Sequence, residues 1–177
     1  MGYVQTLQTV KLFCSIFSQD SNKLNKAKEI LTGKFGLIDF ESGLLNFDYT
    51  KYYEDEFGKD LKRVFVSFKK ITEPDQLWKI KIATNRIENK LKTKDKRTVN
   101  IDPGYISQAS LVLATTKPYS HRIYINKGIY EEVTLLYKNS AFESLSWTYP
   151  DYKNSENIKI FLKIREILCG QLKRAKT

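Results

Sequence analysis

Three basic side chains that can bind an anion lie close together at residues 114–124, which read Ala-Thr-Thr-Lys-Pro-Tyr-Ser-His-Arg-Ile-Tyr. They are Lys117, His121 and Arg122. Lysine and arginine donate charge-assisted hydrogen bonds to phosphate and carboxylate groups, and histidine is a common acid–base residue near neutral pH. The segment therefore predicts a binding site for an anionic small molecule.

The same residues also fit a purely structural interpretation. In this alternative, Arg122 pairs with Glu132 across a β-hairpin, and His121 packs behind Ile123 at the edge of a sheet. Opposite charges that face each other across an antiparallel pair stabilise a hairpin without any ligand. The sequence leaves both interpretations open.

The hairpin itself is the clearest local structure in the sequence. Residues 126–128, Asn-Lys-Gly, suit a three-residue turn with glycine in the left-handed conformation. This turn places Ile125 opposite Ile129 and Tyr124 opposite Tyr130. The pairing of like side chains makes the register self-consistent.

A second polar segment, residues 98–107, reads Thr-Val-Asn-Ile-Asp-Pro-Gly-Tyr-Ile-Ser. Proline fixes φ and glycine tolerates a positive φ, so Asp102-Pro103-Gly104 is predicted to form a tight turn. A carboxylate on this turn can serve as an acid or base only if the turn folds beside the hairpin, because a base must reach its proton in space.

The ligand-site hypothesis gives each candidate residue a role. The candidate catalytic residues are Asp102, His121 and Glu131. The candidate ligand-binding residues are Lys117 and Arg122, which would hold the anion, and Tyr105 and Tyr124, which would stack or donate a hydrogen bond. No pattern identifies a cofactor. We expect no metal site, because the chain has one histidine and no metal-binding spacing.

Hydrophobic periodicity predicts the elements that must position these residues. Strands are expected at 10–17, 37–40, 44–47, 61–69 and 111–114, with helices beginning near residues 20, 74 and 155 and a helical turn within 48–58. The order predicts an α+β fold with a mostly antiparallel sheet and about three helices. It can build a ferredoxin-like split-βαβ core followed by a C-terminal hairpin and helix, in one domain of residues 1–177.

The net charge of +10, from 30 Lys+Arg against 20 Asp+Glu, supports a second hypothesis. A basic protein attracts nucleic acid, and basic residues alternate with aromatic ones at 62–65, while 90–97 is either a nucleic-acid contact or a solvated loop. A third hypothesis is a non-catalytic assembly subunit that uses the aromatic run 147–152 as its contact surface. We rank the small-ligand site first, nucleic acid second and assembly third, and whether a reaction is catalysed stays open.

Several classes of protein are excluded. The sequence has neither GxxxxGK[ST] nor GxGxxG, so it has no phosphate loop and no Rossmann fingerprint. No apolar run approaches the roughly 20 residues that a membrane helix needs. The N-terminus lacks a signal-peptide pattern, and Cys14 and Cys169 have no metal or redox spacing, so we expect a cytoplasmic protein.

Long motifs resemble one family of proteins. They read NIDPGY at 100–105, LVLATTK at 111–117, YSHRIY at 119–124, GIYEEVTL at 128–135 and WTYPDY at 147–152, with a further match at 47–53. Through these motifs the chain resembles, over nearly its whole length, the uncharacterised family called domain of unknown function 4416. The resemblance implies no activity, but it implies that the polar runs around Asp102 and His121 are family features, which favours a site over simple packing.

Overall fold

The computed structural model describes residues 2–3, 6–47 and 54–175. Within these residues, no helix has the length and apolar character needed to cross a membrane. The helical turn predicted within 48–58 is present at Glu54–Phe57 and is followed by Gly58 with φ of 82°. Residues 48–53, on which the rest of that prediction falls, lie outside the described residues.

The elements alternate between strands and helices in the first half of the chain. In order they are β1 (Lys11–Ser18), α1 (Ser21–Phe35), β2 (Ile38–Glu41), β3 (Leu45–Asn46), α2 (Glu54–Phe57), β4 (Lys62–Phe68), α3 (Leu77–Leu91), β5 (Asn100–Ile106), β6 (Ser110–Thr115), β7 (Ile123–Asn126), β8 (Ile129–Lys138), β9 (Ala141–Ser144), α4 (Pro150–Lys153) and α5 (Ser155–Arg174). A short 3-10 helix, Pro74–Gln76, leads into α3.

The strands form one nine-stranded sheet in the order β2-β4-β1-β5-β6-β8-β7, with β3 beside β4 and β9 beside β8. The pairings are antiparallel. The predicted α+β fold, with a mostly antiparallel sheet and three long helices, is confirmed. The connection β1-α1-β2 leaves β4 between its strands, and β4-α3-β5 leaves β1 between its strands. Assignment to the ferredoxin-like fold stays a prediction.

Strand β1 is central because both of its faces are covered. Leu12, Cys14 and Ile16 belong to a core cluster that includes residues of α1 and α3. Phe13, on the opposite face, belongs to a second cluster that contains Phe161 of α5. Successive side chains of a strand point to opposite faces of the sheet. A strand that is apolar on both faces must therefore be covered on both sides, here by helices.

Local signals fix the ends of the helices. The Asp20 side chain accepts a hydrogen bond from the Asn22 amide at the start of α1, and Gly36 ends that helix with φ of 98°. Asn154 caps α5 in the same way as Asp20 caps α1, by accepting from the Glu156 amide. The two capped helices pack on opposite faces of β1.

The predicted tight turn at Asp102-Pro103-Gly104 is wrong, because all three residues lie inside strand β5. A proline in a strand cannot donate to the ladder, and it is normally found where pairing stops. Pairing of β5 with β6 is confined to residues 104–106 and 111–113, so Pro103 marks the point beyond which these two strands are no longer paired.

The predicted hairpin is present with a different turn. Asn126 pairs with Ile129, so the loop has two residues, and Lys127 and Gly128 both have positive φ, at 47° and 77°. This is the conformation of a type I′ turn, whose twist matches the strands. The predicted pairing of Tyr124 with Tyr130 is confirmed. The pairing of Ile125 with Ile129 is wrong, because the register shifts between residues 124 and 126.

A polar cleft where two strands separate

A cleft opens where β5 and β6 separate. Residues 100–103 of β5 continue to pair with β1, whereas residues 114 and 115 of β6 continue to pair with β8. The cavity between them has a volume of about 820 Å³. Its lining includes α3 on one side and residues 149–152 on the other.

The cleft is lined by side chains of both charges. The basic ones are Arg63, Lys81, Arg97 and Lys117, and the acidic ones are Glu88, Asp102, Glu132 and Asp151. Amides and aromatic rings complete the wall, among them Asn85, Asn89, Asn100, Phe47, Tyr149 and Tyr152. Charged groups are rarely buried without partners, so the contacts of each pair determine what the cleft can bind.

Asp102 lies on the inner wall and is held by its neighbours. The Lys81 ammonium of α3 donates to Asp102 Oδ1 at 3.1 Å and to the Ile101 carbonyl at 3.3 Å. Asn100 Nδ2 donates to Asp102 Oδ2 at 2.6 Å. Asp102 pairs with Ser15 of β1, so the Asp102 side chain lies on the face of the sheet that α5 covers. Lys81 belongs to α3 on the other face, and its side chain reaches Asp102 through the gap between β5 and β6. The gap therefore connects the two faces of the sheet.

Glu88 of α3 is a second buried carboxylate that lines the cleft. Its Oε1 accepts from the Ile101 amide at 2.6 Å, and its Oε2 accepts from Arg97 at 3.4 Å. Burial raises the pKa of Glu88 above its ordinary value, and the nearby charge of Lys81 opposes that rise. Arg97 also binds both oxygens of Glu56, each at 2.5 Å.

Arg63 and Asp151 form a buried ion pair that joins β4 to α4, with side chains only 5% and 9% exposed. The Arg63 guanidinium also lies over the Phe47 ring, 3.9 Å from its centroid. A cation above an aromatic face is stabilised by the ring's negative surface. Tyr152, next to Asp151, is buried and stacks on Phe161.

Glu132 of β8 also lines the cleft, and Arg122 and His121 hold it in place. Arg122 Nε donates to Glu132 Oε2 at 2.7 Å, which confirms the predicted ion pair. His121 Nε2 is 3.2 Å from the same oxygen. Arg122 further donates to the Tyr149 hydroxyl at 2.6 Å and to the Lys117 carbonyl at 3.0 Å. Arg122 thus ties together three residues that line the cleft.

His121 does not pack behind Ile123. Its ring stacks on Trp147 instead, with centroids 5.1 Å apart and planes at 13°, while Ile123 is 66% exposed. The imidazole therefore lies between Trp147 and Glu132, just behind the wall of the cleft. The two interpretations of this segment are compatible, because its ion pair is also part of the wall.

The remaining candidates lie away from the cleft. Glu131 and Tyr105 face the opposite side of the sheet from Glu132 and Asp102, and Tyr105 packs against the apolar cluster that contains Leu77. Burial, with a smaller effect from Asp75, raises the pKa of Glu131 to about 7. Tyr124 is 57% exposed and contacts Tyr130. Among the described residues, no group of three or more His, Cys, Asp or Glu side chains could hold a metal ion.

Sequence reasoning missed the contributions of β4 and α3. On α3, Lys81, Asn85 and Glu88 follow one another at helical spacing beside the buried Ile80 and Ile87. Such a polar stripe on a buried face is a recognisable signal. Arg63 gave a weaker signal, as a charged residue at the start of a strand whose next residues are apolar.

The fold and cleft together define an α+β protein with a polar, charge-lined cavity at a break in its sheet. A family model described as domain of unknown function (DUF4416) matches residues 8–168, so the chain belongs to that family. No curated protein and no solved structure gives a significant match.

Proposed function

We propose that the cleft between β5 and β6 binds a phosphorylated small molecule, such as a nucleotide-like metabolite. The observation that carries this proposal is the set of buried ionisable side chains around one cavity of about 820 Å³. That volume lies within the range of roughly 300–1,000 Å³ typical of small-molecule sites. Buried ion pairs seldom add stability over apolar packing, so a cavity surrounded by them is better explained by a ligand than by folding.

The distribution of exposure suggests how the ligand lies. The buried cations Arg63 and Lys81 are each paired with a carboxylate, Asp151 and Asp102. A further anion at this depth would have no uncompensated charge to meet. Lys117 is exposed at the outer edge, so the phosphate group is placed there, where desolvation costs least.

Acid–base chemistry, if the ligand is a substrate, is assigned to Asp102. Its carboxylate lines the cavity, and Lys81 and Asn100 fix its orientation. His121 and Arg122 act as positioning residues through Glu132 and Tyr149. Glu131 is left out of this mechanism because it lies on the other side of the sheet.

The nucleic-acid hypothesis loses one of its supports. Arg63 and Phe65, the residues of the 62–65 segment meant to contact and stack on bases, are 4% and 0% exposed. Base stacking requires an accessible aromatic face. The geometry therefore favours a small ligand over a single strand of RNA or DNA.

Binding can be tested by thermal shift and calorimetry with inorganic phosphate, sugar phosphates and nucleotides. We expect at least one compound to raise the melting temperature in a concentration-dependent way, because a ligand that binds only the folded state stabilises it. Lys117→Ala should weaken binding about tenfold through loss of a charge-assisted hydrogen bond.

The matched control is Lys138→Ala, which removes an exposed lysine at the end of β8 that does not line the cleft. It should bind like the wild type. The proposal fails if no compound binds, or if both lysine variants lose affinity equally.

A further inference from the structure

A group of exposed aromatic side chains lies beside the outer edge of the cleft. Tyr119, Trp147 and Tyr149 are 68%, 39% and 42% exposed. The His121 ring contacts the rings of both Tyr119 and Trp147, with centroids 5.2 and 5.1 Å apart. Tyr149 also lines the cleft. These four residues, Tyr119, His121, Trp147 and Tyr149, are called the aromatic platform below.

The exposed rings of the loop after β9 are held in fixed positions. Trp147 Nε1 donates to the Val133 carbonyl at 2.9 Å, and the Tyr149 hydroxyl accepts from Arg122 at 2.6 Å. Thr148, between them, is buried, and its hydroxyl donates to a β8 carbonyl at 2.6 Å. Exposed side chains normally lose conformational entropy when they bind a ligand. Rings that are already held therefore bind at a lower cost.

Trp147 presents ring surface to solvent. One face of its indole stacks on His121 with the planes at 13°, and its Nε1 is bonded to Val133. The exposed surface of Trp147 therefore lies on the opposite face and the outer edge of the ring. Stacking of a second planar ring requires an accessible aromatic face of this kind.

The polar ends of the platform favour a planar ring over a sugar. Trp147 Nε1 and the Tyr149 hydroxyl are bonded within the protein, and His121 Nε2 is 3.2 Å from Glu132 Oε2. A sugar is recognised through its hydroxyl groups, which need free donors and acceptors. A nucleobase stacks through its π-face, which the exposed rings provide without further hydrogen bonds.

The platform adjoins the position proposed for the phosphate. Arg122 donates to the Lys117 carbonyl at 3.0 Å and to the Tyr149 hydroxyl at 2.6 Å, so one guanidinium joins Lys117 to the platform. Glu132, the carboxylate that holds His121, is buried and paired with Arg122, so it does not present a free negative charge at this surface. A molecule with its phosphate at Lys117 therefore has aromatic surface beside it.

We propose that the aromatic platform stacks the base of a nucleotide whose phosphate lies at Lys117. This inference rests on the proposed function, which it deepens by naming the class of ligand and the position of its base. The exposed faces of Trp147 and Tyr119 contact the base. The base therefore lies outside the inner part of the cleft, where Arg63 and Lys81 are paired with carboxylates.

Trp147 itself provides the readout. The chain has two tryptophans, and the other, Trp78, packs against the apolar cluster that contains Leu77. In the Trp78→Phe variant all tryptophan fluorescence comes from Trp147. Adenosine 5′-monophosphate and uridine 5′-monophosphate should quench it saturably, with excitation beyond their absorption bands, because a stacked base is in contact with the indole. Ribose 5-phosphate, which lacks a base, should not quench it.

Calorimetry on the wild-type protein gives the affinities. We expect at least one of the two nucleotides to bind about tenfold more tightly than ribose 5-phosphate, the usual gain from stacking one base. Tyr119→Ala should weaken nucleotide binding about fivefold and leave ribose 5-phosphate binding unchanged. Lys117→Ala should weaken both kinds of compound.

Tyr3→Ala is the matched control, because Tyr3 is also exposed and belongs neither to the platform nor to the lining of the cleft. It should bind every compound like the wild type. Circular dichroism and melting curves establish that each variant is folded. Equal losses of nucleotide affinity in Tyr119→Ala and Tyr3→Ala would overturn the inference.

The outcomes separate this inference from the proposed function. If Lys117→Ala weakens every compound, but nucleotides bind no more tightly than ribose 5-phosphate and leave Trp147 fluorescence unchanged, the proposed function stands and this inference is overturned. If nucleotides quench Trp147 and Tyr119→Ala weakens them, but Lys117→Ala has no effect, the base position stands and the phosphate position is wrong. If no phosphorylated compound binds, both proposals fall.

Discussion

Glu131 illustrates how one residue can be exceptional without belonging to the cleft. Its Oε1 is buried without a hydrogen-bond partner in the described part of the chain, and burial together with Asp75 raises its pKa to about 7. A carboxyl group with a raised pKa holds its proton in the folded state at pH values where the unfolded chain has lost it. Folding then becomes less favourable as the pH rises from about 4.5 to about 7.

Glu131→Gln should remove this loss of stability, because glutamine is uncharged at every pH in that range. We expect the variant to be more stable than the wild type at pH 8 by about 1 kcal/mol, allowing for solvent screening of a partly exposed group, and to differ little at pH 5. Urea unfolding at both pH values measures this. Glu143→Gln, at an exposed position on β9, is the control. Identical pH slopes in the two variants would contradict the assignment.

At the residue scale, the sequence pointed to some of the residues that lie in or beside the cleft. Asp102, Lys117 and the Arg122–Glu132 pair could be found because each lies in a conspicuous polar run. The partners Lys81 and Arg63 come from elements distant in the chain, and their contacts depend on the sheet order. A single sequence does not determine the order of the strands, so it does not determine which side chains meet in the folded protein.

At the scale of elements, the decisive feature is the close contact of β5 with β6 just beyond Pro103. A Cβ atom at Gly104 would collide with the Val112 carbonyl oxygen and would lie 2.8 Å from Phe13 Cε1. Glycine is required here for close approach of the strands, whereas the sequence suggested that it served a turn. The prediction failed because proline and glycine mark both turns and strand irregularities.

Gly104→Ala should therefore destabilise the protein by about 1–3 kcal/mol, the usual cost of overpacking a core. The control is Gly33→Ala in α1, where a Cβ would meet nothing within 4 Å. That change should stabilise the protein by about 0.5–1 kcal/mol, because alanine is the better helix former. Thermal unfolding of both variants provides the comparison. Equal melting temperatures for Gly104→Ala and the wild type would show that β5 and β6 are not in close contact.

The alternating and helical patterns predicted most of the other elements well. Strand β1 and helices α1, α3 and α5 have strong periodicity, and α1 and α5 also have side-chain caps; both signals depend only on nearby residues. Strands β5 and β9 were not predicted, since β5 contains Pro103 and β9 has only four residues. Their pairing is decided by neighbouring strands rather than by local preference.

At the scale of the whole molecule, the net charge of the chain and the charge of the cleft differ. The chain carries +10, whereas the four basic and four acidic residues that line the cleft cancel. The excess positive charge therefore lies elsewhere, where it can attract anionic ligands over a distance without fixing their position. Under the proposed function, specific recognition falls to the paired charges within the cleft.

The most direct test of the central claim is a two-dimensional ¹H–¹⁵N NMR titration of the labelled protein with a phosphorylated compound that shifts the melting temperature. Binding in the cleft predicts saturable shifts for the amides of Asn100, Thr115 and Thr116, with Lys138 and Glu166 unaffected. Shifts at saturation that avoid the cleft and cluster on another surface would contradict the claim that this cleft is the binding site.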